Sequence, residues 1–98
     1  MDLKIEAVHF VVDKKLVTFV EERVHRLEQV FDNIVSGEVF LKLDRTSDKE
    51  NKIAEIKLSV PGKEMFAKKQ CKSFEEATDS CVEALRKQVR RHKEKLVV

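Results

Sequence analysis

Residues 84–96 read ALRKQVRRHKEKL, and hold six cations (Arg86, Lys87, Arg90, Arg91, Lys93 and Lys95) against one acid. Guanidinium and ammonium groups at this density do one kind of chemistry well: they attract phosphate oxygens and hydrogen-bond to them. The whole chain carries a formal charge of only +2, whereas residues 82–98 carry +4 and the first 81 residues therefore −2. A nearly balanced protein has gathered its positive excess into one segment, the footprint of a surface that meets phosphates. A plain solvated helix face is the competing reading, because cations near a helix C-terminus gain about 0.3–1 kcal/mol each from the helix dipole. Such a face usually mixes in acids at i,i+4 spacing. Here the acids thin out as the cations accumulate.

Other chemistry is weakly represented. His9, His25 and His92 have no mutual spacing suited to a metal, and Cys71 and Cys81 are neither a close pair nor flanked by clustered histidines. Both cysteines read as reduced and semi-buried. No Ser-His-Asp or Cys-His arrangement stands out, and two glycines are too few for a cradle of backbone N–H groups around a phosphate. No catalytic residue, metal ligand or cofactor is expected. The chain has no Trp or Tyr and no Gly-aromatic strand motif, which argues against single-stranded bases stacked on a sheet. Recognition by backbone and shape is the expectation that remains.

The elements that position the cations follow from periodicity. With 98 residues, of which 42% are hydrophobic, the chain supports one domain, residues 1–98, with one core. No apolar run approaches the length of a spanning helix and no signal-peptide pattern opens the sequence, so a cytoplasmic location without membrane contact is expected. Leu3, Ile5 and Ala7 alternate with polar residues as a first strand. Asp13 can cap a helix over about 18 residues whose apolar face is Leu16, Val20, Val24, Leu27 and Phe31, with Gly37 available for a left-handed turn at its end. Val39, Leu41 and Leu43 form a second strand, followed by the polar loop DRTSDKENK. Ile53 or Ala54, Ile56, Leu58 and Val60 give a third strand, and Pro61-Gly62 suits the centre of a type II turn. Met65, Ala67 and Lys69 alternate with Glu64, Phe66 and Lys68 in a fourth strand, either set being a possible inward face. Ser73 with Glu76 is a capping box that opens the last helix.

The order β-α-β-β-β-α implies an α+β fold. Strands one and two are parallel across a right-handed helical crossover, strands two to four meander, and two helices pack on one face of a four-stranded mixed sheet. At about 100° per residue, Phe74, Ala77, Cys81, Leu85, Gln88 and His92 share the core arc of the last helix, with Val89 at its margin. His92 there reads as a packed structural histidine. Arg86, Lys87, Arg90, Arg91 and Lys93 spread over the opposite half. The first helix adds Arg23 and Arg26 beside its apolar face and Lys14 and Lys15 near its start, although Glu21, Glu22 and Glu28 make ordinary surface pairing an equal reading there.

On these residues the sequence resembles the bacterial ribosome hibernation promoting factor family, also described as ribosome-associated translation inhibitors and sigma-54 modulation proteins, in its short form. The resemblance covers nearly the whole chain. MDLKIEAVHFVV, Asp13 and LVTFVEERVHRLEQVFD reproduce the family's strand, cap and first helix, with Arg23, Arg26, Leu27, Glu28, Phe31 and Asp32 at matching positions. SFEEATDSCVEALRKQVRRHKEKL carries the family's second signature through Ala77, Asp79, Leu85, Lys87, Gln88, Val89, Arg91, Lys93 and Lys95. Asp13-Lys14 replaces the usual Thr-Pro, Glu75 an aromatic and Gln29 a basic residue, so family contacts at those positions are not carried over.

The resemblance implies a domain similar to double-stranded RNA-binding domains. It implies binding to the small ribosomal subunit in the channel of mRNA and tRNA, with Arg23, Arg26, Arg86, Lys87, Arg90, Arg91, Lys93 and Lys95 contacting 16S rRNA. Translation would be blocked and idle ribosomes preserved under stress and in stationary phase. The long C-terminal extension of other members is not expected, so pairing of ribosomes would need a second factor; the free protein is expected to be a monomer. A general RNA-binding or RNA-chaperone module and a protein-interaction domain stand as alternatives.

Overall fold

The computed structural model describes residues 1–46 and 49–95. Its order is β1 (Asp2–Ala7), α1 (Lys14–His25), a 3-10 turn (Arg26–Gln29), β2 (Ser36–Leu43), β3 (Lys52–Val60), β4 (Lys63–Cys71) and α2 (Phe74–Lys95). Ser47 and Asp48 of the polar loop, and Leu96 at the expected end of the last helix, lie outside the described residues. The strands form one sheet in the order β1-β2-β3-β4. β1 runs parallel to β2, and β3 is antiparallel to both β2 and β4. This is the mixed sheet that the periodicity implies.

Cross-strand rows define the two faces. Ile5, Val39, Ile56 and Ala67 are successive partners in one inward row, and Leu3, Gly37, Leu58 and Met65 form the next. Met65 and Ala67 are buried while Phe66 remains 52% exposed, which settles the inward face of β4. Val20, Val24 and Leu27 from the first helical segment and Ala77, Cys81, Leu85 and Val89 from α2 close over these rows. Burying each large aliphatic side chain contributes roughly 1.5–3 kcal/mol, and this apolar contact holds both helices on one face.

Local signals place the ends. The Asp13 carboxylate accepts the Leu16 N–H at 2.8 Å, and the Ser73 hydroxyl accepts the Glu76 N–H at 3.1 Å. Gly62 has φ +78°, as the third residue of a type II turn requires, and Val60 pairs with Lys63 across it. Two expectations are corrected. The first helix is α-helical only to His25 and then tightens into the 3-10 turn, where the Leu27 carbonyl accepts the N–H groups of both Val30 and Phe31. Gly37 is no left-handed cap. It lies inside β2, where a Cβ would stand 3.1 Å from Leu3 Cδ1 and 3.3 Å from Leu58 Cδ2, so a larger residue would have to push those side chains aside by a few tenths of an ångström.

The arc of α2 is also shifted. Val89, expected at the margin, is fully buried, whereas Gln88 and His92 are only half-buried. The Gln88 amide donates to the Phe66 carbonyl of β4 at 3.0 Å, and the His92 ring meets Phe31 edge-on at 5.7 Å. Cys81 is fully buried rather than semi-buried, and its thiol donates to the Ala54 carbonyl at 3.2 Å. Burial pushes that thiol up to about 11, so it stays protonated and inert.

Candidate nucleic-acid interface

The two faces of the molecule differ in how their charges are spent. On the open side of the sheet Glu55 lies 2.8 Å from Lys42 and 4.0 Å from Lys68, and Lys57 lies 3.5 Å from Glu64. These residues alternate with the inward rows, so cations and acids meet across neighbouring strands and neutralise one another. The helical side is different. Lys87, Arg90, Arg91 and Lys95 are exposed and form no ion pair among the described residues. The only acid that α2 interposes after Glu83 is Glu94.

Helix geometry explains why these four stay unpaired. Gln88 ties one flank of α2 to β4, and Lys93 ties the other to the segment after the 3-10 turn, donating to the Val30 carbonyl at 3.2 Å. The residues between those flanks project outward. Lys87 and Arg90 lie on the outer ridge, Arg91 and Lys95 toward the β4 side and Arg86 toward α1. All six cations of the helix thus fall within Arg86–Lys95, roughly the last 15 Å of a helix about 33 Å long.

The remaining cations of interest are held in place. Arg23 lies over the Phe19 ring at 4.5 Å and places its Nε 3.0 Å from Asp79 Oδ1, linking α1 to α2. The approach is an ion pair without a linear hydrogen bond, since the buried Nε–H finds no aligned acceptor among the described residues. Arg86 NH1 stands 3.8 Å from Glu83 of its own helix. Lys93 is committed to Val30, as above. Arg26, on the 3-10 turn, is exposed. A groove of 690 Å³ opens between the two helical segments, with Arg23, Arg26 and Arg86 on its walls. The sequence pattern gave no weight to Asp79 and Glu83 as groove acids, although their i,i+4 spacing places them on one flank of α2.

Nearby, Glu28 accepts from the His25 ring at 2.7 Å and from the Met1 amino group at 3.0 Å. The hydrogen bond to His25, followed by that to the amino group, holds its carboxyl below the usual glutamate range. That acid is thus occupied away from the cations of α2.

The family model described as Sigma 54 modulation protein / S30EA ribosomal protein matches residues 3–97. The chain belongs to this family. Its members are modulation and ribosomal proteins, not enzymes. A ribosome hibernation promoting factor from Pseudomonas putida is 30% identical over 95 residues, spanning 97% of this chain and 89% of the relative. One from Azotobacter vinelandii is 31% identical and spans 99% and 87%. Among solved structures, the N-terminal domain of Thermus thermophilus Protein Y superposes with a TM-score of 0.80 at 24% identity, covering 94% of this chain and 99% of that one. A ribosomal subunit interface protein from Coxiella burnetii gives 0.86 at 17% identity, covering 96% and 99%. These two likenesses establish the S30EA fold: the β-α-β-β-β-α order and the helices on one face are common to all three.

Proposed function

We propose that this chain is a ribosome hibernation factor of the cytoplasm, acting as one ribosome-binding unit. It lies in the mRNA and tRNA channel of the small subunit, holds 16S rRNA with its helical face, and thereby blocks translation and preserves idle ribosomes. The observation that carries the reading is the row of unpaired cations Lys87, Arg90, Arg91 and Lys95 on α2, set against a sheet face where Lys42, Lys57 and Lys68 are paired with acids. The relatives, ribosome hibernation promoting factors by name, supply the ribosome as target. Arg26 extends the same surface onto the 3-10 turn. Arg23, Arg86 and Lys93 support it from the side, as braces that fix the helices and as nearby positive charge. Among the described residues no helix is long and apolar enough to cross a membrane.

Binding to purified small subunits should depend steeply on salt. Five cations that neutralise about five phosphates give a log–log slope of roughly −3.5 to −4.5, a loss of a few hundredfold between about 50 and 200 mM salt. An affinity that stays flat over this range excludes the electrostatic mechanism. Co-sedimentation in the presence of excess duplex RNA separates a ribosome-specific factor from a general RNA-binding module: the former stays with the subunit, the latter is titrated away. Location in the channel makes a further demand, because two ligands cannot fill one volume. Initiator tRNA should be displaced from the subunit as the protein saturates it, and simultaneous saturation by both would refute that location.

A further inference from the structure

The geometry points to the groove between α1 and α2 as a pocket for one guanine nucleotide, recognised by its base as well as by its phosphate. This site lies beside the phosphate-binding ridge, and it rests on the proposed function only for the supply of RNA.

The groove combines three features that a ridge of cations lacks. Its floor carries an apolar strip, made by half-buried Val30 and Val82 over the buried Leu27. Its volume of 690 Å³ lies within the roughly 300–1,000 Å³ of pockets that enclose small ligands. A planar base therefore has the Val30 and Val82 side chains to lie against and charged walls on either side.

The second feature is a pair of carboxylates among the guanidiniums. A carboxylate accepts two parallel hydrogen bonds. Guanine alone among the RNA bases offers two adjacent donors on its Watson–Crick edge, N1–H and the N2 amino group. Adenine and cytosine set a ring-nitrogen acceptor beside their single donor group, and uracil flanks its one donor with two carbonyl oxygens. Each of those arrangements aims a lone pair at the carboxylate. Asp79 is already engaged through Oδ1 by Arg23 at 3.0 Å. Glu83 is the freer acid, with a side chain 59% exposed and its nearest cation, Arg86, 3.8 Å away. Glu83 is thus the base-reading residue and Asp79 a positioning residue.

The third feature is charge and preorganisation. Three guanidiniums face two carboxylates, which leaves the groove with one unbalanced positive charge, the complement of one phosphodiester. Arg23 is clasped by Phe19 and Asp79, so its fork is fixed before any ligand arrives.

The test compares GMP with AMP, and an RNA hairpin carrying one bulged guanosine with the same hairpin carrying a bulged adenosine, all at one salt concentration. Affinities come from fluorescence anisotropy and the place of binding from the amide NMR shifts of Val82, Glu83 and Arg86. The bulged-guanosine hairpin is expected to bind about tenfold more tightly, within the roughly five- to hundredfold range of one bidentate base contact. Glu83→Gln sets one acceptor beside one donor, which adenine and the O6/N1–H edge of guanine both complement, and should bring the ratio to about one. Groove shifts with GMP extend the site to free nucleotides, and shifts with RNA alone assign it to a base flipped out of a strand; each supports the pocket. A ratio of one for the unaltered protein overturns it. Ribosome binding measured on the same preparation keeps the two readings apart. Its loss with guanine preference retained removes the ribosome reading and leaves the groove, whereas intact ribosome binding with a ratio of one removes the groove alone.

Discussion

Replacing Lys87, Arg90 and Arg91 together with glutamate is expected to abolish binding to the small subunit while the protein stays folded. All three side chains are exposed and without ion pairs among the described residues. Removing about three phosphate contacts flattens the salt slope by roughly 2.7, and the reversed charges add repulsion, so affinity at ~0.1 M salt falls by on the order of a thousandfold. Stability should change by less than about 1 kcal/mol, because surface substitutions away from packed or capped positions cost little. Sedimentation and a thermal melt measure the two quantities on one sample. A folded triple variant that still sediments with the subunit would reduce the basic ridge to a solvated surface.

Leu85→Ala is expected to have the opposite outcome. Leu85 is fully buried, on the same helix and within two residues of Lys87. Loss of its side chain removes transfer energy and leaves a cavity under α2, a cost of roughly 2–5 kcal/mol. For a chain of this size that lowers the melting temperature by roughly 8–40 °C, since 1 kcal/mol corresponds to about 4–8 °C. The fraction that remains folded should bind the subunit with nearly native affinity. Should binding fall in a folded, low-temperature sample while the melt barely moved, the inward and outward faces of α2 would have to be exchanged.

Much of the fold is legible because its signals are local. Asp13, Ser73 and Pro61-Gly62 act within three or four residues of themselves, and each does in the structure what its spacing implies. Gly37 misleads for the converse reason: the tight space beside it is set by Leu3 and Leu58, on strands far away in sequence. The 3-10 turn at Arg26 leaves Leu27 and Phe31 inward, so the hydrophobic pattern alone could not reveal the change of winding. Val89 and Gln88 exchanged roles because the centre of the buried arc depends on where α1 and β4 lie against α2. The site divides in the same way. Composition concentrates the cations, but residue type cannot distinguish Lys87, which faces solvent, from Arg23, which is clasped by Phe19 and Asp79.

The order of the contacts between the two helices has an electrical consequence. Phe10 stacks on Phe74, Arg23 meets Asp79 and Phe31 meets His92, so α1 and α2 run in the same direction. Their peptide dipoles add instead of cancelling, and both negative ends lie toward the pole where Arg90, Arg91, Lys93 and Lys95 accumulate. Part of that cationic charge offsets the peptide field, and the surplus leaves this pole positive. At the opposite pole Asp13, Glu75 and Glu76 stand beside the positive helix starts and balance Lys14, Lys15 and Lys72. The molecule is thus a polarised rod. A strongly negative target exerts a torque on it at a distance and turns the end of α2 forward before any contact forms, so orientation as well as attraction is set during the approach.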